Sequence, residues 1–467
     1  MRKNALKIAS NDALDQQCAL LQQTCSQLFC ETNLEALARE HHFIQRNRKL
    51  TASAFVKTLV FNEEDHHHLS LLDLKGQVFE HTRCHISPEA LHKRFTPEAV
   101  AFLKALLSEQ LSHHLALEQL PAFDSCLFTG IHIKDSTKFK LPTAYQASYP
   151  GYGSFNKTTS LMNIQYEYDL LSGQWRSLTL TSVRRNDQAD SKATLEDLQE
   201  GSLNIRDLGY ITPSYLKGVE SQSAYYLNRL PQIGVYQYKH GSYQAIDWQD
   251  LDRKIKKAGL NILEVEVYLG KQEKLKTRMI LVPVPEQVTN QRVRKARQGG
   301  KRANGYQVSK EYKLKARYNI YISNVPQEVL AASQLVSAYT LRWQIELVFK
   351  TWKSHLHIHQ IKAVKKERME CQLLAKLIWI LLQSKLLQLL NHMVKTVHPT
   401  LGCSPPKFFK RARKFSQVFL RMIPQASSFS HWFKTSIIPI IPDLIIEQRK
   451  QKKTHCQLIY DVFLNLS

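Results

Sequence analysis

A glutamate lies among phosphate-binding residue types in the segment YTLRWQIELVFKTWK. At about 100° per residue, a helix formed by this segment would carry four polar residues on one side: Tyr339, Arg342, Glu346 and Lys353. Lys350 would lie close to them. Arginine and lysine bind phosphate oxygens, and a carboxylate binds divalent cations. The spacing therefore predicts an amphipathic helix with this face free for chemistry and an apolar side packed against a core, formed by Leu341, Ile345, Val348 and Trp352. The alternative is a solvated face with an ordinary Glu346–Lys350 salt bridge, worth about 0.3 to 0.5 kcal/mol.

Two aspartates stand near the ends of strand patterns earlier in the chain. SCLFTGIHIKDSTKFKLP alternates as a strand does and carries Asp135, and SLNIRDLGYI predicts a short strand that ends in Asp207. Between them come two more strand patterns, LMNIQYEYDL and WRSLTLTSV, and a helical stretch at 192–200. The order strand, strand, strand, helix, strand is that of a ribonuclease-H-like core, whose first and fourth strands are neighbours. We therefore expect Asp135 and Asp207 to lie side by side.

Asp135, Asp207 and Glu346 together would form a set of three carboxylates. Adjacent carboxylates repel one another unless cations lie between them, and their hard oxygen ligands suit Mg²⁺ or Mn²⁺. A pair of such ions about 3.5 to 4 Å apart activates a water or a 3′ hydroxyl and stabilises the leaving oxygen of a phosphodiester. The set predicts phosphodiester chemistry with two ions and without a covalent enzyme intermediate. Any one of the three is, by itself, more often an ordinary surface acid or helix cap.

The composition describes a large, folded, basic protein. The chain has 467 residues, 43% of them hydrophobic, a formal charge of +24 and a pI near 9.6. Such a surface attracts polyanions, of which nucleic acid is the commonest, with an acidic membrane as the alternative. The most apolar run, residues 373–390, is interrupted by Lys376, Gln383 and Lys385, so we predict a buried helix and no membrane span.

The N-terminus and the cysteines indicate a cytoplasmic protein. No signal-peptide pattern is seen at the N-terminus, so secretion is not expected. Eight scattered cysteines without a C-x2-C pair predict reduced thiols. The histidines at 66–68 and at 355, 357 and 359 lack the Cys or carboxylate partners of a metal site.

The fold class predicted is α/β, with four regions along the chain. Residues 1–118 read as a helical N-terminal DNA-binding domain, and 119–210 with 320–370 as the ribonuclease-H-like catalytic core. Because 211–319 is too long for a simple connection and rich in strand patterns, we predict a β-rich insertion domain there. Residues 371–467 read as a helical C-terminal region.

The N-terminal region contains a segment typical of a helix-turn-helix. ISPEALHKRFTPEAVAFLKALL predicts two short helices joined at Thr96-Pro97, which would place Lys93 and Arg94 near a phosphate backbone. A small helical bundle with a basic rim gives the same pattern. The segment is therefore compatible with DNA binding without requiring it.

The motifs, taken in order, resemble the DDE transposases of bacterial insertion sequences. Y-x2-R-x3-E-x6-K at 339–353 resembles the signature of the insertion-sequence-four family and its YREK branch. The resemblance extends over about residues 85–365, including KDST at Asp135, D-x-G-Y at Asp207, YYLNRL, and SNVP before LRWQIELVFKTWKS. It implies that Asp135, Asp207 and Glu346 bind the catalytic metals, Mg²⁺ or Mn²⁺.

The same resemblance implies the DNA contacts and the course of the reaction. Tyr339, Arg342 and Lys353 would hold phosphates of the transposon end. Members excise the element by a 3′ nick, a hairpin, its reopening and strand transfer, acting as homodimers on paired inverted-repeat ends, with the C-terminal helices as the usual contact. The tryptophan that stacks on a flipped base in many members corresponds to Tyr318, which would keep that role or be a core tyrosine.

Two other functions remain open from the sequence. A catalytically inactive, sequence-specific DNA-binding protein derived from a transposase would keep the basic surface but would lose an acid, and all three acids are present. A metal-dependent junction resolvase or nuclease on the same core gives no reason for the inserted domain. The sequence therefore favours a transposase.

Overall fold

A computed structural model describes residues 11–46, 49–62, 69–115, 126–152, 159–302, 307–422, 424–448 and 452–464. The chain divides into two compact units. Unit 1 comprises 1–125, 136–184 and 344–467, and unit 2 comprises 126–135 and 185–343. The histidine run at 66–68 lies outside the described residues.

The regular elements of the described residues are strands and helices, numbered in chain order. The strands are β1 (Ile131–Leu141), β2 (Ser160–Asp169), β3 (Trp175–Ser182), β4 (Leu203–Arg206), β5 (Tyr225–Arg229), β6 (Val235–Lys239), β7 (Ser242–Ala245), β8 (Leu263–Leu269), β9 (Leu275–Pro283) and β10 (Tyr318–Ser323). The helices are α1 (Asn11–Phe29), α2 (Glu31–Glu40), α3 (Ala52–Val60), α4 (Leu71–Thr82), α5 (Pro88–His92), α6 (Pro97–Ser112), α7 (Asp187–Ala193), α8 (Pro213–Ser221), α9 (Trp248–Ala258), α10 (Glu286–Arg302), α11 (Lys310–Lys315), α12 (Ala332–Thr340), α13 (Trp343–Ser354), α14 (Lys366–Val397), α15 (Pro405–Ala412), α16 (Ser416–Met422), α17 (Ala426–Trp432), α18 (Ile441–Leu444) and α19 (His455–Ile459).

Unit 1 is mainly helical and is organised around α14. The N-terminal helices pack on it, and the Gln110 side chain of α6 donates to the Ile378 carbonyl of α14 at 3.3 Å. α14 is long and apolar enough to cross a membrane, but 89% of its most apolar stretch is buried inside the structure. The prediction of a buried helix for residues 373–390 is therefore confirmed.

The two helices predicted for the segment around Thr96 are also confirmed. Ser87 and Thr96 cap α5 and α6, because their hydroxyls accept from the Ala90 and Ala99 amides at 3.1 and 3.3 Å. A proline occupies the first turn of each helix, where its missing N–H costs nothing.

Unit 1 also holds the strand order β3–β2–β1, with β1 represented by residues 136–141. β2 and β3 are antiparallel, and the turn between them contains Gly173 at φ +73°, a left-handed conformation that glycine adopts without steric cost. Tyr166 of β2 and Trp175 of β3 pack against Trp352 of α13, with ring centroids 4.9 and 5.2 Å apart. The apolar side of α13 is thus buried on these strands, as its periodicity predicts.

Unit 2 contains the strand order β1–β4–β5–β10–β9–β8–β6–β7, with β1 represented by residues 131–135. β1, β4 and β5 are parallel, and β10 is antiparallel to both β5 and β9. β4 therefore lies next to β1, as the strand order in the sequence predicts.

The helix predicted at 192–200 is wrong in its bounds, because α7 covers Asp187–Ala193. It begins earlier since the Asn186 side chain accepts from the Ala189 amide at 2.8 Å, which is a strong N-cap. It ends at Thr194, whose hydroxyl donates to the Asp190 carbonyl at 3.0 Å. The caps, rather than the helix-forming residues that follow, set the bounds.

None of the eight cysteines, all of which lie within the described residues, forms a disulfide, and their reduced state stays a prediction.

Candidate active site

Asp135 and Asp207 follow the last residues that pair the neighbouring parallel strands β1 and β4 with each other. The register pairs Ile133 with Ile205 and Lys134 with Arg206, so one further step brings Asp135 level with Asp207. Adjacent strands lie about 4.8 Å apart, and level residues of parallel strands face the same side of the sheet. The structure therefore brings these two predicted residues together within unit 2.

The same level continues across the next two strands. Ile205 pairs with Leu227, so Asp207 comes level with Arg229 of β5, and Arg229 in turn pairs with Tyr321 of β10. The Arg229 guanidinium donates to the Asn319 side chain at 2.8 Å. Two carboxylates and a fixed cation thus lie level with one another across three neighbouring strands, an arrangement that sequence spacing does not reveal.

Arg342 lies directly against the aspartates. Its guanidinium donates to Asp135 Oδ2 at 3.2 Å, and the two side chains are 17% and 19% exposed. This partly buried ion pair shows that a cation can approach Asp135 at this place. A charged guanidinium so placed is also able to bind a phosphate oxygen.

Tyr339 completes the surroundings of the two aspartates. Its ring packs on Tyr321 with centroids 5.0 Å apart, and its hydroxyl is buried without a hydrogen-bond partner among the described residues. Burial raises the pKa of Tyr339 to about 12; the Asp207 charge adds to the rise, while Arg342 and Arg229 oppose it. The side chain is therefore a neutral hydrogen-bond donor at neutral pH.

The prediction of one continuous helix through residues 339–353 is wrong. α12 ends at Thr340 and α13 begins at Trp343. The amides of Leu341 and Arg342 donate to carbonyls three residues back, and the Thr340 hydroxyl donates to the Ser337 carbonyl at 2.6 Å. This tight turn interrupts the α-helical pattern, so Tyr339 lies on α12, Arg342 in the turn, and Glu346 and Lys353 on α13.

The remaining residues of that segment lie on α13, in unit 1 from residue 344 onward. Glu346 is in its first turn, where a carboxylate is favoured by the helix dipole, and is partly buried. Lys350 is exposed, whereas Lys353 is half-buried and donates to the Lys138 carbonyl at 3.2 Å. Burial lowers the pKa of Lys353.

The donor set of the two aspartates fits a hard divalent cation. Each aspartate supplies carboxylate oxygens, the ligands that Mg²⁺ and Mn²⁺ prefer. Within the described part of the chain, no group of three or more His, Cys, Asp or Glu side chains is positioned to hold a metal. The histidines at 355, 357 and 359 therefore form no such group, and the third ligand of the aspartate pair stays a prediction.

Tyr318 is placed in the core of unit 2. It is 6% exposed within an apolar cluster, and its hydroxyl donates to Asp252 Oδ1 at 2.7 Å. Burial raises the pKa of Tyr318 further above its ordinary value. Asp252 is itself held by Arg317 at 2.8 Å. The geometry favours the core role over the stacking role, since a ring must be accessible to stack on a base.

Trp343 is an exposed aromatic side chain that the sequence interpretation overlooked. It is 56% exposed and directly follows Arg342. The signal was available, because on a helical wheel Trp343 falls roughly opposite the apolar side, close to Lys350. An exposed tryptophan beside cations is suited to stacking on a nucleic acid base.

The two basic residues of the N-terminal segment are each engaged. Lys93 pairs with Glu89 at 2.8 Å, but both side chains are about three-quarters exposed, so the pair contributes little. Arg94 lies over the Phe43 ring at 4.5 Å and donates to the Phe43 carbonyl at 3.4 Å. DNA binding by this segment stays a prediction.

Comparison with known proteins gives a consistent family. Residues 128–382 match the model of the transposase DDE domain. The transposase of insertion sequence IS231E from Bacillus thuringiensis subsp. finitimus is 34% identical over 366 residues, covering 75% of this chain and 76% of the relative. The IS231D transposase of the same subspecies is 30% identical over 453 residues, 90% and 94% of the two chains. The IS1151 transposase of Clostridium perfringens is 28% identical over 379 residues, 78% and 80%.

Among solved structures, the piggyBac transposase in a synaptic complex with hairpin DNA aligns with 93% of this chain and 87% of its own. The identity is 10% and the TM-score 0.44, which is too low to support an argument about this fold.

Proposed function

We propose how the site works from one premise: the chain belongs to the DDE transposase family and is the transposase of an insertion sequence, an enzyme that cleaves and joins DNA strands. The reaction we propose is cut-and-paste transposition. It comprises a 3′ nick, hairpin formation, hairpin opening and strand transfer at the inverted-repeat ends of the element. The protein would act as a homodimer in the bacterial cytoplasm, on paired element ends and target DNA.

Asp135, Asp207 and Glu346 are the metal ligands in this proposal. The level placement of Asp135 and Asp207 is the single observation that carries it, because the register of two parallel strands brings together residues 72 positions apart. Two Mg²⁺ or Mn²⁺ ions bound there would supply Lewis-acid activation of a water or a 3′ hydroxyl and neutralise phosphate charge. Glu346 enters because it follows Arg342 by four residues, as the family motif requires.

Arg342 and Tyr339 would bind the phosphates of the element end. Arg342 already donates to Asp135, so in the complex with DNA its guanidinium would exchange this carboxylate for a phosphate oxygen. The buried Tyr339 hydroxyl is a donor without a partner among the described residues, so it is available to a phosphate oxygen. Lys353 and Lys350, both on α13, would add further phosphate contacts.

Trp343 takes the place of Tyr318 as the proposed base-stacking side chain. Its exposure leaves the indole face available, and stacking of a base on an aromatic ring is worth about 1 to 3 kcal/mol. The strand order β3–β2–β1 of unit 1 and β1–β4–β5 of unit 2 support a ribonuclease-H-like core as the scaffold.

The test is cleavage of an end-labelled element terminus by purified protein with Mg²⁺ or Mn²⁺. We expect nicking by the wild type and none by Asp135→Asn or Asp207→Asn, while both variants still shift the DNA in a gel. Asp250→Asn is the control, because Asp250 is a partly exposed acid of α9 whose ion pairs, with Lys254 at 2.9 Å and Arg253 at 4.0 Å, stay within its own helix. A wild type that binds the end but never nicks it would instead indicate a DNA-binding protein without catalytic activity.

A further inference from the structure

Two buried cations directly precede the two aspartates. Lys134 and Arg206 are each 1% exposed and are paired with each other in the register of β1 and β4. Since successive side chains of a strand alternate between faces, both cations lie on the sheet face opposite to Asp135 and Asp207. Each predicted metal ligand therefore directly follows a buried, charged residue whose side chain lies on the other face of the sheet.

A single buried carboxylate of α7 holds the first of these cations. Asp190 is 0% exposed, and its Oδ2 lies 2.7 Å from Lys134 Nζ. Its Oδ1 accepts from the Arg185 guanidinium at 3.0 Å. The hydroxyl of Thr194, which ends α7, accepts from Lys134 at 3.0 Å. Lys134 is thus fixed by two partners from one helix.

The neighbouring residue of α7 holds the second cation. Ser191, also 0% exposed, accepts from Arg206 Nη1 at 3.2 Å. The Arg206 guanidinium lies over the Tyr215 ring at 5.0 Å, a cation–π contact. Consecutive residues of one helix therefore bind Lys134 within β1 and Arg206 at the end of the neighbouring strand β4.

The energetic cost of this arrangement indicates a positional role. Buried ion pairs give little net stability compared with apolar residues of similar volume, because desolvation offsets their attraction. Their directional bonds, however, fix the groups that they join. Here they fix the register of β1 against β4 immediately before the two aspartates, where a small shift changes the distance between the carboxylates.

We propose that Asp190 is a positioning residue for the metal site, and that α7 holds Asp135 and Asp207 at the spacing that divalent cations require. Asp190 acts through Lys134 and, together with Ser191, through the end of β4; it does not touch the metal. This inference rests on the proposed function, because it takes the aspartate pair as the ligands. It adds buried residues of α7 that hold the ligands in position, and such supporting contacts contribute to the affinity of a site for its metal.

Mn²⁺ binding to the full-length protein without DNA tests the proposal. Free Mn²⁺ is measured by electron paramagnetic resonance during titration of the wild type, Asp190→Asn and Lys134→Met. We expect both variants to bind Mn²⁺ about tenfold more weakly, the size of effect seen when the supports of metal ligands are lost. Ser191→Ala, a milder change, should weaken binding about threefold, in proportion to one hydrogen bond.

A matched control separates positioning from general loss of stability. Glu264 of β8 pairs with Arg278 of β9 at 2.5 Å, and both side chains are largely buried. β9 and β8 are separated from β4 by β5 and β10. Glu264→Gln should lower the melting temperature and leave Mn²⁺ affinity unchanged.

The outcomes are distinct. Folded Asp190→Asn and Ser191→Ala proteins with wild-type Mn²⁺ affinity would overturn the proposal, and so would a wild type that binds no Mn²⁺. If Asp190→Asn does not fold, the Ser191→Ala titration decides. If the wild type binds Mn²⁺ and the variants bind it more weakly as expected, but the wild type does not nick element ends, the role of Asp190 is supported and only the proposed function is rejected.

Discussion

The hydroxyl of Tyr339 gives a prediction in which stability and DNA affinity change in opposite directions. It is a buried donor without a partner among the described residues. Leaving such a group unsatisfied costs about 1 to 3 kcal/mol. Tyr339→Phe removes the hydroxyl and keeps the ring contact with Tyr321, so we expect the free protein to become more stable by about 1 kcal/mol, or roughly 1 °C in melting temperature for a chain of this length.

DNA affinity should fall in the same variant. A hydrogen bond to a charged group is worth about 1.5 to 3 kcal/mol, so losing a Tyr339–phosphate bond should weaken end binding at least about tenfold. Thermal unfolding of the free protein and gel-shift titration of an element end measure the two effects. A phosphate reaches this buried hydroxyl only if a neighbouring side chain moves. We expect Arg342 to move, because it is close enough for its charge to lower the pKa of Tyr339.

Tyr226→Phe is the matched control, because its hydroxyl is also buried but is satisfied. It donates to the Thr277 hydroxyl at 2.9 Å. Its removal should therefore destabilise the protein by about 1 kcal/mol and leave DNA affinity unchanged. The reasoning would be refuted if Tyr339→Phe behaved like this control, with lower stability and wild-type affinity.

Three further predictions concern cleavage, ionic strength and pH. Glu346→Ala should abolish cleavage with end binding largely intact, and retained nicking in the labelled-end assay would exclude it as a ligand. Arg342→Ala should weaken end binding and reduce the slope of log affinity against log salt by about one, whereas an unchanged slope would argue against a phosphate contact. Burial lowers the pKa of Lys385 to about 8. Between about pH 8 and 10, Lys385 is therefore protonated in the unfolded chain but not in the folded protein. The free energy of unfolding should rise with pH over this range by up to about 3 kcal/mol. Urea unfolding of the wild type should show this rise and Lys385→Met should not; equal pH profiles would contradict the assignment.

The sequence predicts the strands that position the aspartates because their pattern is local. Alternation identifies β1 to β4, and the helix between β3 and β4 indicates that β4 returns beside β1. The proximity of Asp135 and Asp207 then follows from the order of the strands. For these two residues the prediction of neighbouring positions is confirmed, whereas metal binding itself stays a prediction.

Other features of the site depend on information that periodicity does not contain. A helical wheel assumes an unbroken helix, so it could not show the turn at Leu341 and Arg342, which i to i−3 bonds create. Arg229 shares the level of Asp207 only through the register of β4 and β5. The bond between Lys134 and Asp190 joins residues 56 positions apart, and both look like ordinary surface charges in the sequence.

The alternation of side chains in β1 has a consequence for how such an element decays. Lys134 faces a sealed interior and Asp135 faces the opposite side, and a strand slipped by one residue exchanges the two faces. Loss of a single in-frame codon from residues 131–133 would therefore turn the Asp135 carboxylate inward and the Lys134 amine outward, with almost no change in composition. A copy inactivated in this way would retain every signature residue. An unchanged number of residues before Asp135 is therefore better evidence of activity than the presence of the motif alone.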